Sequence, residues 1–256
     1  MASVSGLVKR AAGPSNAGQA LLVLQEEVVQ CRRCPRLTDH CQRIAQQKRK
    51  AYLDWEYWGR PVPSFGDPAG RVLVIGLAPG AHGSNRTGRM FTGDGSGNFL
   101  YRVLYQTGFA SQPTAASRDD GLRLKDIYIT AAVRCAPPDN KPRPEEFANC
   151  RPYLERELEL LSHVQVVVTL GKLAHDVYLG ILQSRGAIAG RSNYPFSHGG
   201  VHKLPEGFPL LISSYHPSQQ NTLTGRLTEA MFRRIFERAR RALSGGHMKG
   251  EQNARR

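Results

Sequence analysis

No apolar run in this chain is long enough to cross a bilayer, and the N-terminus lacks the apolar core and cleavage site of a secretion signal. Both absences predict a cytoplasmic protein with no membrane association. Acidic residues are scarce, with 21 Asp and Glu against 35 Lys and Arg, a formal charge of +14. The imbalance points to polyanionic partners, nucleic acid first, because a basic surface binds phosphate backbones by releasing counterions. Basic ends account for part of the surplus, since the chain closes on Arg255 and Arg256. The cysteines are only five. In a cytosolic setting that number suggests metal binding or catalysis ahead of a disulfide framework. No internal repeat or long linker divides the 256 residues, so a single domain and a monomer are expected.

What is present alternates. Residues 1–18 read as a disordered arm, 19–243 as the domain, and 244–256 as a flexible basic tail. Apolar runs at 72–77, 127–133, 164–170 and 209–215 predict strands, each followed by a helical pattern at 97–106, 145–161, 172–182 and 224–243. Four strand-then-helix units predict an α/β fold of three layers, α/β/α, with a central four-stranded parallel sheet. Ligands of such sheets bind beyond the carboxyl ends of the strands. Four chemically loaded segments, GLAPGAHG, VRCAPPDN, GKLAH and HPSQQN, follow the four strands and are predicted to meet at one edge.

Within those segments, His216 follows the last strand and is suited to donate a hydrogen bond to a developing anion; a strand-end histidine bonded to backbone is the plain alternative. Asp94, in FTGDGSG, precedes a helix, where an N-terminal cap is its ordinary role and a catalytic carboxylate the other. Phe91 is placed to stack on a base or to fill the core. Asn140 lies in a turn-forming run. His82, Asn85, Arg86 and Arg89 belong to a long Gly-rich loop and could touch phosphate or sugar. Cys31 and Cys34 form Cys-x-x-Cys, and Cys135 and Cys150 lie far downstream; four thiolates from two regions suit zinc or an iron–sulfur cluster. Cys41 is left over.

Together CRRCPRL, GLAPGAHGSNRTGRMFTGDGSGN, YITAAVRCAPPDNKPRPEE and HPSQQNTLTGR resemble the type B, or family 5, enzymes of the iron–sulfur branch of the uracil-DNA glycosylase superfamily. The resemblance implies a 4Fe-4S cluster on Cys31, Cys34, Cys135 and Cys150. It implies DNA containing uracil or other deaminated bases as partner, with base flipping and hydrolysis of the N-glycosidic bond. The best-known uracil glycosylases carry aspartate and tyrosine where this chain has Ala78 and Gly80, and the type A cluster enzymes carry asparagine where it has Ala131. Losing those walls implies a roomier pocket, lined by Gly76, Ala78, Gly80, His82, Phe91 and Ala131, that accepts hypoxanthine, xanthine or ethenocytosine besides uracil. Catalysis then falls to Asp94 and His216, with Asn140 assisting, and backbone contacts to Asn85, Arg86, Arg89, Ser218 and Arg226. The position of the wedging leucine is taken by Gln219 and Gln220. A non-catalytic iron–sulfur nucleic-acid-binding or redox-sensing protein is the alternative. A lysine Schiff-base lyase has no lysine in the first long motif to use.

Overall fold

A computed structural model describes residues 14–245. The chain runs α1 (Pro14–Val29), α2 (Pro35–Gln47), β1 (Phe65–Gly66), β2 (Val72–Gly76), α3 (Ser84–Thr87), α4 (Gly95–Gln106), β3 (Ile127–Ala131), α5 (Pro144–Leu160), β4 (Val166–Leu170), α6 (Lys172–Ser184), β5 (Val201–His202), β6 (Leu210–Ser214), α7 (Gln219–Leu223) and α8 (Glu229–Leu243). The expected arm is shorter than residues 1–18, because α1 already includes 14–18; its remainder, 1–13, and the tail from 246 onward lie outside the described residues.

The sheet order is β1-β3-β2-β4-β6-β5. The four inner strands are parallel, as the sequence predicts. The two edge strands are two-residue antiparallel additions, too short to leave a periodic signature. Every residue of β2, β3 and β4 is buried, which is why these strands read as continuous Val/Ile/Leu runs. Their side chains alternate between faces. Val72, Val74, Ile129, Val166 and Val168 pack with Leu100, Leu104, Phe232 and Phe236 of α4 and α8. On the other face Leu73, Ile75, Val167 and Leu211 pack with Leu21, Leu154, Tyr178 and Leu182 of α1, α5 and α6. Each fully buried aliphatic side chain contributes roughly 1.5–3 kcal/mol, and this two-sided burial fixes the strand ends that carry the loops.

The last helix, predicted over 224–243, begins only at Glu229, and a separate short helix, α7, precedes the predicted start. Ser218 caps α7 by accepting from the Asn221 N–H, Gly225 follows its end, and Thr228 caps α8 by accepting from the Met231 N–H at 3.2 Å. Beyond β3, Ala132 and Val133 still donate to the carbonyls of Gly76 and Leu77 at 3.0 and 2.9 Å. The pairing therefore leads the chain directly toward Cys135.

Candidate active site

At the carboxyl edge of the sheet a cleft of about 650 Å³ is lined by the loops after β2, β3 and β6. It brings together Ala78, Gly80, His82, Phe91, Asp94, Ala131, Asn140, His216 and Ser218. Asp94 is the N-cap of α4, with Oδ1 accepting from the Gly97 N–H at 2.9 Å. The cap and the cleft-facing carboxylate are thus one residue. Its other oxygen fills space that only glycine leaves open, since a Cβ at Gly83 would stand 1.9 Å from Oδ2 and one at Gly80 2.8 Å. Burial pushes the carboxyl above its ordinary value, opposed by N–H groups of Gly97 and Ser96 and by the charge of Arg86.

His216 stands at the end of β6. Burial pushes its imidazole down to about 4, so at neutral pH it carries no charge. Its ring lies 5.9 Å from that of Phe91, centroid to centroid, and its carbonyl accepts from the Asn221 side chain at 2.8 Å. Phe91 is held at φ +52°, an uncommon conformation for a bulky residue, and its ring covers the backbone of Gly76. Asp139 and Asn140 also have positive φ, both +55°. Among the described residues, three of the five non-glycine residues in that conformation line this one cleft, and such strain concentrates at functional sites. His82 bonds through Nδ1 to the Tyr57 hydroxyl at 3.0 Å.

A second, smaller cavity is lined by Cys31, Cys34, Cys135 and Cys150 with Arg134, Asn149 and Tyr153. None of these cysteines is in a disulfide. Cys34 stands at the N-cap position of α2 with no capping side-chain bond, just before Pro35, a favoured first helical residue, and its Sγ accepts from the Asn149 amide at 3.4 Å. Burial pushes the Cys150 thiol up to about 11 and also raises Cys34. Cys135 is pushed up by its hydrogen bond with Cys41 and by burial, so the cysteine outside the motif touches the set. Among the described residues no group of three or more His, Cys, Asp or Glu side chains is placed to hold a metal ion. At the cysteine cavity Arg134 forms a buried ion pair with Glu157, and Ser64 and Thr130 bond to the same carboxylate.

Residues 63–240 match the family model described as the uracil DNA glycosylase superfamily. The chain belongs to that superfamily. It is 52% identical over 211 residues to a type-5 uracil-DNA glycosylase of Thermus thermophilus, covering 82% of this chain and 93% of that protein. Identity to the type-5 uracil-DNA glycosylase of Pyrobaculum aerophilum is 45% over 212 residues, 83% of this chain and 88% of the relative. A type-4 uracil-DNA glycosylase of Sulfurisphaera tokodaii is 25% identical over 223 residues, 84% of this chain and 83% of the relative.

Several residues expected at the DNA backbone of this glycosylase fold lie elsewhere. Asn85, Arg86 and Arg89 are buried inside the loop. Arg89 donates to both oxygens of Asp120 at 2.8 Å, and although burial would raise Asp120, this pairing holds its carboxyl down at about 2. Asn85 donates to the Cys41 carbonyl at 3.3 Å. With their donors turned inward, these three are corrected from DNA contacts to supports of the loop. Gly76 lies behind the Phe91 ring and not at the cleft surface. Arg226 is exposed, with its guanidinium 4.6 Å from the Tyr215 ring centroid. Arg49 also lines the cleft, although its basic stretch carries no motif. Leu223, at the end of α7 and five residues past the HPS motif, is 84% exposed.

Proposed function

We propose that this protein is a monofunctional DNA glycosylase that hydrolyses the N-glycosidic bond of uracil, and of hypoxanthine, xanthine or ethenocytosine, after flipping the base out of the stack. The observation that carries the reading is the pairing, in one cleft, of a helix-capping carboxylate, Asp94, with a neutral half-buried imidazole, His216. Cleavage leaves a cationic sugar and an anionic base, so a fixed anion and a hydrogen-bond donor serve the two fragments. Asp94 faces the sugar and positions the water. His216 is neutral and so donates a hydrogen bond to the departing base, holding the proton it shares without surrendering a charge. Phe91 stacks on the flipped base, and Asn140 assists at the mouth. Ala78 and Ala131 supply no polar group against the base, which supports the broad substrate range. Ser218 and Arg226 are the backbone contacts, and Leu223 is the side chain exposed enough to fill the gap the base leaves.

The cysteine cavity is proposed to hold a 4Fe-4S cluster through Cys31, Cys34, Cys135 and Cys150. The all-thiol donor set, free of disulfides, supports this, as does the amide hydrogen bond to Cys34 Sγ, a usual tuning contact at iron–sulfur thiolates. When bound, the cluster supplies a structural cross-link between the α1–α2 segment and the loop after β3. Iron and sulfide analysis of anaerobically purified protein, with Cys34→Ala as control, tests it; a folded, active, iron-free variant overturns it.

The activity is tested by base release from oligonucleotides bearing uracil, hypoxanthine, xanthine or ethenocytosine, single- and double-stranded. Release of free base with strand scission only after alkali is expected. DNA binding with no base released would leave a binding module in its place.

A further inference from the structure

The guanidinium of Arg86 is one of the most enclosed charges in the protein, 3% exposed and without an ion-pair carboxylate among the described residues. Its carbon lies 3.9 Å from the Tyr52 ring centroid and 4.0 Å from that of Trp55. Both rings come from the segment between α2 and β1 and stand at 80° to one another, so the cation sits in the corner that they form. Its edge is bonded to backbone. Nε donates to the His82 carbonyl at 2.8 Å and Nη2 to the Gly93 carbonyl at 2.7 Å, while Nη1 is buried with no partner. Those two carbonyls immediately precede Gly83 and Asp94. Gly83 is the residue whose Cα faces the Asp94 carboxylate, and Asp94 is the carboxylate itself. Gly93 permits the approach, since a Cβ there would stand 2.5 Å from Nη2.

We propose that Arg86 is a positioning residue for Asp94: it clamps the two loop segments that bracket the carboxylate and lends a positive charge from behind the cleft. The inference rests on the role given to Asp94 under the proposed function. A purely architectural clamp would need no buried cation, because burying a charge without a paired anion is costly and an unsatisfied donor adds to the penalty. The charge has a use beside a carboxylate that burial drives toward its neutral form and that must stay ionised to stabilise a sugar cation. The other groups facing Asp94 cannot replace it. Tyr101 of α4 is buried and protonated, His216 is neutral, His82 is held toward its neutral form by burial and by Arg49 and Arg86, and Arg49 and Asp139, both exposed at the cleft mouth, oppose one another in sign.

The test is single-turnover uracil excision against pH by the full-length wild type, Arg86→Gln, Arg86→Lys and Asp94→Asn, with melting temperatures alongside. In Arg86→Gln the acidic limb is expected to move up by roughly one pH unit, with a lower plateau. Arg86→Lys keeps the charge and loses the planar fork, so its limb is expected to stay near that of wild type while its plateau falls about tenfold. An unmoved limb in folded Arg86→Gln, or a wild-type plateau in Arg86→Lys, overturns the proposal. The lysine variant keeps it open to refutation if the glutamine variant does not fold. Wild-type excision by Asp94→Asn would instead bring down the role of Asp94, and this inference with it; a slow Asp94→Asn with an unmoved Arg86→Gln limb rejects Arg86 alone.

Discussion

The carboxylate of Asp94 occupies the side-chain space of Gly83: a Cβ on that glycine would stand 1.9 Å from Oδ2 and 2.6 Å from Cγ. The first residue of one loop segment is therefore shaped by a residue eleven positions later. Gly83→Ala is expected to displace the carboxylate and lower uracil release about 100-fold. Overpacking limits the accompanying loss of stability to about 1–3 kcal/mol. Excision kinetics and a denaturant melt on the same preparation separate the two effects.

Asp94 serves as cap and as proposed anion, and the two roles separate by substitution. Asparagine caps as well as aspartate, so Asp94→Asn is expected to match or exceed wild-type stability at neutral pH. The sign follows from linkage. An acid whose folded value is raised costs stability that is fully present once pH passes that value, and asparagine removes the cost. Asp94→Ala loses the cap and about 1 kcal/mol. Both variants should lose most excision activity, measured at saturating enzyme.

His216 titrates at about 4 in the folded protein against 6.5 for the free side chain. The folded state then binds fewer protons than the unfolded state between those values, so this contribution to stability is complete above 6.5 and is lost as pH falls toward 4. Urea melts at pH 7 and pH 5 should show a smaller difference in His216→Gln than in wild type. Its excision rate at pH 7 should fall about 100-fold.

Arg89 and Arg226 should behave oppositely. Arg89→Gln removes the buried partner of the half-buried Asp120, whose carboxylate keeps only backbone N–H donors, and is expected to cost about 1.5–3 kcal/mol, with the salt dependence of DNA binding unchanged. Arg226→Gln should leave the melting temperature unchanged and reduce the slope of log K against log salt by about one. Salt titrations of binding to a uracil-bearing duplex distinguish them.

Leu223→Ala removes an apolar side chain that makes little contact with the protein, so stability should stay within about 0.5 kcal/mol. Excision from duplex DNA should fall about tenfold while excision from single strands holds, because only the duplex requires a side chain to replace the flipped base. Paired single- and double-strand rates measure it.

The parallel core was legible because β2, β3 and β4 are buried on both faces and so carry unbroken apolar runs. The convergence of Asp94, His216, Phe91 and Asn140 follows from that topology, which gathers the loops after successive strands at one edge. The burial of Arg86 and Arg89 was not legible. A Gly-rich loop with two arginines looks solvated until Tyr52, Trp55 and Asp120, distant in sequence, are brought against it. The break between α7 and α8 had local signals in Gly225 and Thr228, but the apolar stripe of α8 was extended across them. Leu223 gave no sign because its meaning lies in its exposure.

Strand β3 ends with Ala131 in the cleft wall, and the chain beyond it enters the cysteine cavity at Arg134, tied there to Glu157, and Cys135. Four residues span at most about 14 Å, and here all four are buried. The two cavities thus share one rigid partition. Heat or oxidation that opens the cysteine side takes the substrate wall with it, so inactivation should be all-or-none, with no surviving population of enzyme that is merely slow.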